Sequence, residues 1–113
     1  MRTQVTELSP ASECCAAGLA QPLDRTHAEQ LSGLLKAVSD PTRLQLLSLI
    51  RASPNGEACV CNLTAPIALS QPTISHHLKV LTDAGVLKRE QRGTWAWFSV
   101  NQQRLDQIRD ALA

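Results

Sequence analysis

Residues 69–100 read LSQPTISHHLKVLTDAGVLKREQRGTWAWFSV, and this stretch decides the fold. Ser70 is a good N-cap, its hydroxyl able to accept an orphan backbone N–H. Ile74, Leu78 and Leu81 then fall on one helical face, so the spacing predicts a helix running to Ala84. Gly85 supplies a C-terminal stop, where a left-handed backbone costs glycine nothing. Residues 86–91 and 94–100 read as two strands around Arg92-Gly93. A helix followed at once by a β-hairpin is the second half of a winged helix-turn-helix, with the hairpin as wing.

The upstream sequence supplies the first half. Asp40-Pro41 opens a helix, Asp as N-cap and Pro at the first helical position. Leu44, Leu47 and Ile50 form one stripe, widened by Leu46 and Leu49, so this helix is central. Ser53-Pro54-Asn55-Gly56 is a turn. Residues 58–68, ACVCNLTAPIA, read as a short helix limited by Pro66. Further out, Thr26 and Glu29 fit a capping box at the start of a helix carrying Leu31, Leu34, Leu35 and Val38. A last helix over 102–112 follows Asn101 as cap, with Leu105, Ile108 and Leu112 facing inward. The fold class expected is mainly α with a β-hairpin wing. Residues 1–23, polar and without periodicity, read as an arm ahead of a domain spanning 24–113.

The 113 residues carry a formal charge of only +1, which excludes a polycationic coat or an acidic tail. The total conceals a segregation. Residues 71–92 hold Lys79, Lys88, Arg89 and Arg92 against Asp83 and Glu90, whereas the first 34 hold Arg2 and Arg25 against four acids. With Ile74, Leu78 and Leu81 turned inward, the opposite face of the 70–84 helix carries Pro72, His76, Lys79 and part of Thr73, flanked by Gln71 and Ser75. Gln can read an adenine edge in the major groove, and Ser, Thr and Lys reach bases or phosphates. A polar helix face is more often merely solvated. The basic hairpin beside it, holding the chain's three aromatics Trp95, Trp97 and Phe98, favours DNA. The DNA-binding set expected is Ser70, Gln71, Thr73, Ser75, His76, Lys79, Arg89 and Arg92. His77 reads as a packed or hydrogen-bonded residue and His27 as solvated.

The strings SDPTRLQLLSLI (39–50), LSQPTISHHLKVLTDAGVLKRE (69–90) and RGTWAWFSV (92–100) resemble the ArsR/SmtB family of metal-responsive winged-helix repressors. The similarity covers about residues 27–112. It implies a homodimer that binds an operator palindrome in double-stranded DNA and leaves it when metal binds. It also implies that the first and last helices build the dimer interface, with Leu31, Leu34, Leu35, Leu105, Ile108 and Leu112 partly intermolecular.

Four cysteines remain, as the doublets Cys14/Cys15 and Cys59/Cys61. No secretory signal or membrane span is visible, so a cytoplasmic protein with reduced thiols is expected. Cysteines there act more often as metal ligands or redox groups than as a disulfide framework. GEACVCNL (56–63) is similar to the Cys-Val-Cys run of the family's arsenic- and cadmium-responsive branches, and SECC (12–15) to arm cysteines in other members. A His-carboxylate site on the last helix is not expected, because that helix has Asp106 and Asp110 but no His. Thiolates select soft ions: As(III) or Sb(III) with three sulfurs, Cd(II) or Pb(II) with three or four. Residues i and i+2 point about 200° apart on a regular helix, so Cys59 and Cys61 grip one ion only if the helix start is unwound. The favoured site is therefore Cys14, Cys15 and one of the pair, preferably Cys59. The alternatives are Cys59, Cys61 and one arm cysteine, or all four. Cys61 could also be a buried small hydrophobe.

The function expected is a metalloid-released repressor without organic cofactor. A thiol redox switch on DNA binding is the rival. An enzyme is not expected. No cysteine is followed six residues later by Arg, and His76 and His77 project 100° apart.

Overall fold

The computed structural model describes residue 19 and residues 21–113; Cys14 and Cys15 lie outside them. The elements are α1 (Arg25–Val38), α2 (Pro41–Ala52), a 3-10 turn (Pro54–Gly56), β1 (Glu57–Cys59), α3 (Val60–Ile67), α4 (Gln71–Asp83), β2 (Leu87–Arg92), β3 (Trp95–Val100) and α5 (Gln102–Ala111). The described residues divide into two compact units, Ala37–Asn101 and a second that joins α1 up to Lys36 with residues 102–113.

The 37–101 unit is the winged helix-turn-helix. Asp40 caps α2, its carboxylate accepting from the backbone N–H of Thr42 at 2.9 Å and of Arg43 at 3.1 Å. Leu46, Leu47 and Ile50 are buried, whereas Leu44 is 54% exposed. The expected stripe through Leu44 is thus rotated toward Leu46: four leucines and an isoleucine in 12 residues define no single face, and tertiary packing chose one. The 53–56 turn forms as expected, with Asn55 and Gly56 at positive φ. Ser70 caps α4, its Oγ accepting from the Thr73 N–H at 3.4 Å, and Ile74, Leu78 and Leu81 are buried.

Beyond it the chain turns on Gly85 (φ 79°) into β2. β2 and β3 pair from Leu87↔Val100 to Arg92↔Trp95, leaving the two-residue loop Gly93-Thr94, one residue later than expected. Gly93 has φ 60°, which a two-residue hairpin turn asks of its first loop residue. Asn101 does not cap the last helix through its side chain. Its amide donates to the Gly85 carbonyl at 2.9 Å and so ties the two ends of the hairpin together.

The sheet has a third strand that the sequence did not announce. β1 pairs antiparallel with β3, giving the order β1-β3-β2. Residues 57–59, whose last two were expected to start a helix, are therefore extended, and α3 begins only at Val60. α3 ends on Ala68 at φ 62°, with the Ala68 N–H donating to the Thr64 carbonyl at 2.8 Å. A left-handed alanine costs about 1–2 kcal/mol that glycine avoids. Glycine loses about 0.4–1 kcal/mol more entropy on folding. Ala68→Gly should therefore stabilise the protein by roughly 0.5–1 kcal/mol, read as an upward shift in thermal midpoint.

In the other unit, α1 begins at Arg25, ahead of the expected Thr26 cap. Asp24 performs the capping, accepting from the His27 N–H at 2.8 Å. The His27 ring also lies against Asp24, Nδ1 to Oδ1 at 2.8 Å, so this histidine is paired rather than simply solvated. These contacts hold the Asp24 carboxyl below its ordinary value, the backbone bond from His27 first among them. Leu31, Leu34 and Ile108 are buried and Leu35 and Leu105 half-buried. Leu112 is 52% exposed rather than inward, and Ala111 takes the buried position. Among the described residues no helix is long and apolar enough to cross a membrane.

Candidate thiol site and DNA-reading surface

The thiol pair sits where β1 becomes α3. Cys59 has φ −97° and ψ 168°, an extended conformation, while Cys61 lies in the first turn of the helix. The restriction imposed by a regular helix does not apply across that junction. The two Cα atoms are 5.3 Å apart and the sulfurs are joined as a disulfide. Cys59 is the buried member at 3% exposure, held in the sheet opposite Trp97. Cys61 is exposed, the reverse of the small-hydrophobe expectation for it. Asn62 completes the junction by accepting from the Cys59 N–H at 3.1 Å through Oδ1, which lies 3.3 Å from the Cys59 sulfur.

Two convergent sulfurs suit a soft ion but do not complete a site for one. Among the described residues no group of three or more His, Cys, Asp or Glu side chains converges. The carboxylates of the last helix are otherwise engaged: Asp106 accepts from Gln102 at 2.9 Å, and Asp110 faces Arg109 at 3.1 Å.

The polar face of α4 forms as its spacing predicts. Gln71, Thr73, Ser75, His76 and Lys79 are all exposed, and Ser70 is exposed at its cap. Lys79 Nζ reaches Asp83 at 3.0 Å, an exposed i,i+4 pair of small energetic worth. His77 turns inward. Its Nδ1 accepts from Arg43 Nε at 3.1 Å, and Arg43 also donates to the Ala37 carbonyl at 3.1 Å. Arg43, from the DPTR string of α2, thereby fixes the rotation of α4, a positioning role its sequence position did not reveal.

A cleft of about 370 Å³ separates α4 from the wing, lined by Ser75, Lys79, Thr82 and Asp83 on one side and Arg89, Ala96 and Phe98 on the other. Phe98 packs inward and Trp95 stands 52% exposed on the wing. Arg89 donates to Gln91 at 2.9 Å on the exposed strand. Arg92 is the exception among the expected DNA ligands. Its guanidinium is bidentate to Glu57, at 2.7 and 2.8 Å, and also meets Glu90 at 2.7 Å. The hydrogen bonds donated by Arg92 hold the Glu57 carboxyl below the usual carboxylate range, and the same bonds to Glu57 and Glu90 raise the Arg92 value.

Residues 40–89 match the arsR family of bacterial regulatory proteins. The chain is 38% identical over 84 residues to the arsenical resistance operon repressor of Staphylococcus xylosus, covering 74% of this chain and 78% of that one. It is 30% identical over 86 residues to a cadmium resistance transcriptional regulatory protein homolog of Staphylococcus aureus, covering 76% and 69%. The crystal structure of a possible transcriptional regulator for arsenical resistance superposes with a TM-score of 0.62 at 35% identity, over 68% of this chain and 77% of that one.

Proposed function

The chain belongs to the ArsR family of bacterial regulatory proteins, and on that premise we propose that it is a cytoplasmic, metalloid-released repressor. It binds operator DNA as a homodimer and leaves it when As(III) or Sb(III) is captured by cysteine thiolates. The observation that carries this reading is the meeting of the Cys59 and Cys61 sulfurs at the start of α3, because α3 packs against the reading helix α4.

The two thiols supply two sulfurs in the reduced protein, and Cys14 or Cys15 supplies the third. This set now has better support than one omitting Cys61, since the extended Cys59 removes the angular objection to the pair. Arsenous acid exchanges its three hydroxyls for three thiolates. Each thiol proton leaves with a hydroxyl as water, and arsenic stays trivalent. An ion joining α3 to the arm favours whichever position of α3 brings the three sulfurs together, and α4 follows. A ligand shifts such an equilibrium only by its differential affinity. A coupling of about 1–3 kcal/mol, or 5–150-fold in affinity, is the typical scale.

DNA is engaged by Ser70, Gln71, Thr73, Ser75, His76 and Lys79 on α4 and by Arg89 across the cleft. The half-exposed leucines of the first and last helices, with Leu112, serve the dimer. The test is fluorescence anisotropy on a duplex selected by the reduced protein from a random pool. Arsenite should lower the anisotropy at stoichiometric addition, and unchanged affinity throughout the titration would refute the reading. Parallel titration with cadmium ranks the ions, because a four-sulfur site would favour Cd(II) or Pb(II).

The bonded sulfurs support a second reading, in which oxidation of the pair itself changes DNA affinity. It requires peroxide to release DNA from the metal-free protein, and a thiol reductant to restore binding.

A further inference from the structure

Arg92 stands at the end of β2, and its partner Glu57 stands on β1. These two strands are not neighbours, because β3 runs between them. The Arg92 side chain spans the central strand, passing with its guanidinium carbon 5.2 Å from the Trp97 ring centre. It then closes on both oxygens of Glu57 at 2.7 and 2.8 Å, while Glu90 on its own strand accepts a further bond at 2.7 Å. A planar fork on a carboxylate fixes direction as well as distance. The cluster of Glu57, Glu90 and Arg92 carries a net single negative charge, so it offers a phosphate no net attraction.

Strand alternation adds an independent argument. Successive side chains point to opposite faces of the sheet. Arg89 is on the face with Phe98, which borders the cleft beside α4. Arg92 is an odd number of residues away and lies on the other face, over Trp97. The two arginines, alike in sequence, are therefore presented in different directions.

We infer that Arg92 is a positioning residue and not a phosphate ligand: through Glu57 it clamps the wing to the strand that ends in Cys59. The inference rests on the DNA-binding reading above. Its consequences differ from those of a simple contact in the salt dependence at Arg92 and in the sign of the effect at Glu57. Removing a phosphate ligand weakens binding and lowers the slope of log affinity against log salt by about 1. Removing a brace weakens binding and leaves the slope alone. Neutralising Glu57 should strengthen binding if only charge matters, since a negative group near DNA is lost, but weaken it if the clamp matters.

The experiment measures the affinity of Arg92→Gln and Glu57→Gln, both surface substitutions, for the selected duplex from low to high salt. We expect both variants to bind severalfold more weakly than wild type with the wild-type slope. A slope reduced by about 1 in Arg92→Gln, or Glu57→Gln binding as tightly as wild type or tighter, overturns the inference. If the wild-type protein selects no duplex, the DNA-binding reading has failed. The clamp is then decided by amide hydrogen exchange over residues 88–97, where faster exchange in Glu57→Gln supports it and unchanged exchange overturns it.

Discussion

Replacing Cys59 and Cys61 together with Ser is expected to leave operator affinity within about twofold of wild type and to abolish release by arsenite. The wild-type response should be a 5–150-fold weakening; in the double variant the ratio should fall to about 1. Ser is nearly the size of Cys and is a favoured N-cap, so the junction at residue 59 keeps its geometry. Asn62 still accepts the residue-59 N–H. A hydroxyl does not replace thiolate toward a soft ion. Anisotropy with and without arsenite reads both quantities in one titration series. Loss of DNA binding in the variant before arsenite is added would mean that the pair is structural rather than sensing.

The largest effect on stability should come from Leu78→Ala. Leu78 is 1% exposed on the inward face of α4. Deleting a buried leucine removes its transfer energy and leaves a cavity, together about 2–5 kcal/mol. A whole domain has only about 5–15 kcal/mol to lose. The variant should melt well below wild type, by roughly 4–8 °C for each kcal/mol in a domain of this size. His76→Ala, two residues away but fully on the opposite face, separates folding from reading. It should move stability by no more than about 0.5 kcal/mol while weakening DNA binding. Thermal unfolding followed by circular dichroism distinguishes the two. Equal destabilisation by both substitutions would contradict the assigned faces of α4.

What the sequence made legible was local. Ile74, Leu78 and Leu81 share a face by spacing alone, Asp40 and Ser70 cap helices by their chemistry, and Gly93 marks the hairpin loop. The parts it concealed depend on pairing across the chain. β1 is three residues long, too short for any periodicity, and exists because its backbone meets β3 some 40 residues later. Without it, Cys59 reads as part of a helix on which the two sulfurs diverge. The Glu57–Arg92 clamp is hidden for the same reason, joining residues 35 apart. Leu44 and Leu46 were indistinguishable by composition, and only packing decided which was covered. The arm cysteines, Cys14 and Cys15, stay where the sequence argument left them.

In the proposed mechanism, occupancy of the thiol site and of the DNA surface are coupled. Coupling between two binding equilibria is reciprocal, so whatever arsenite does to DNA affinity, DNA must do to arsenite affinity by the same factor. The most direct test is calorimetric titration of the reduced protein with arsenite, free and saturated with the selected duplex. Arsenite should bind 5–150-fold more weakly to the DNA-bound protein, by the factor that anisotropy gives for release. Equal arsenite affinity in the two states would contradict that coupling.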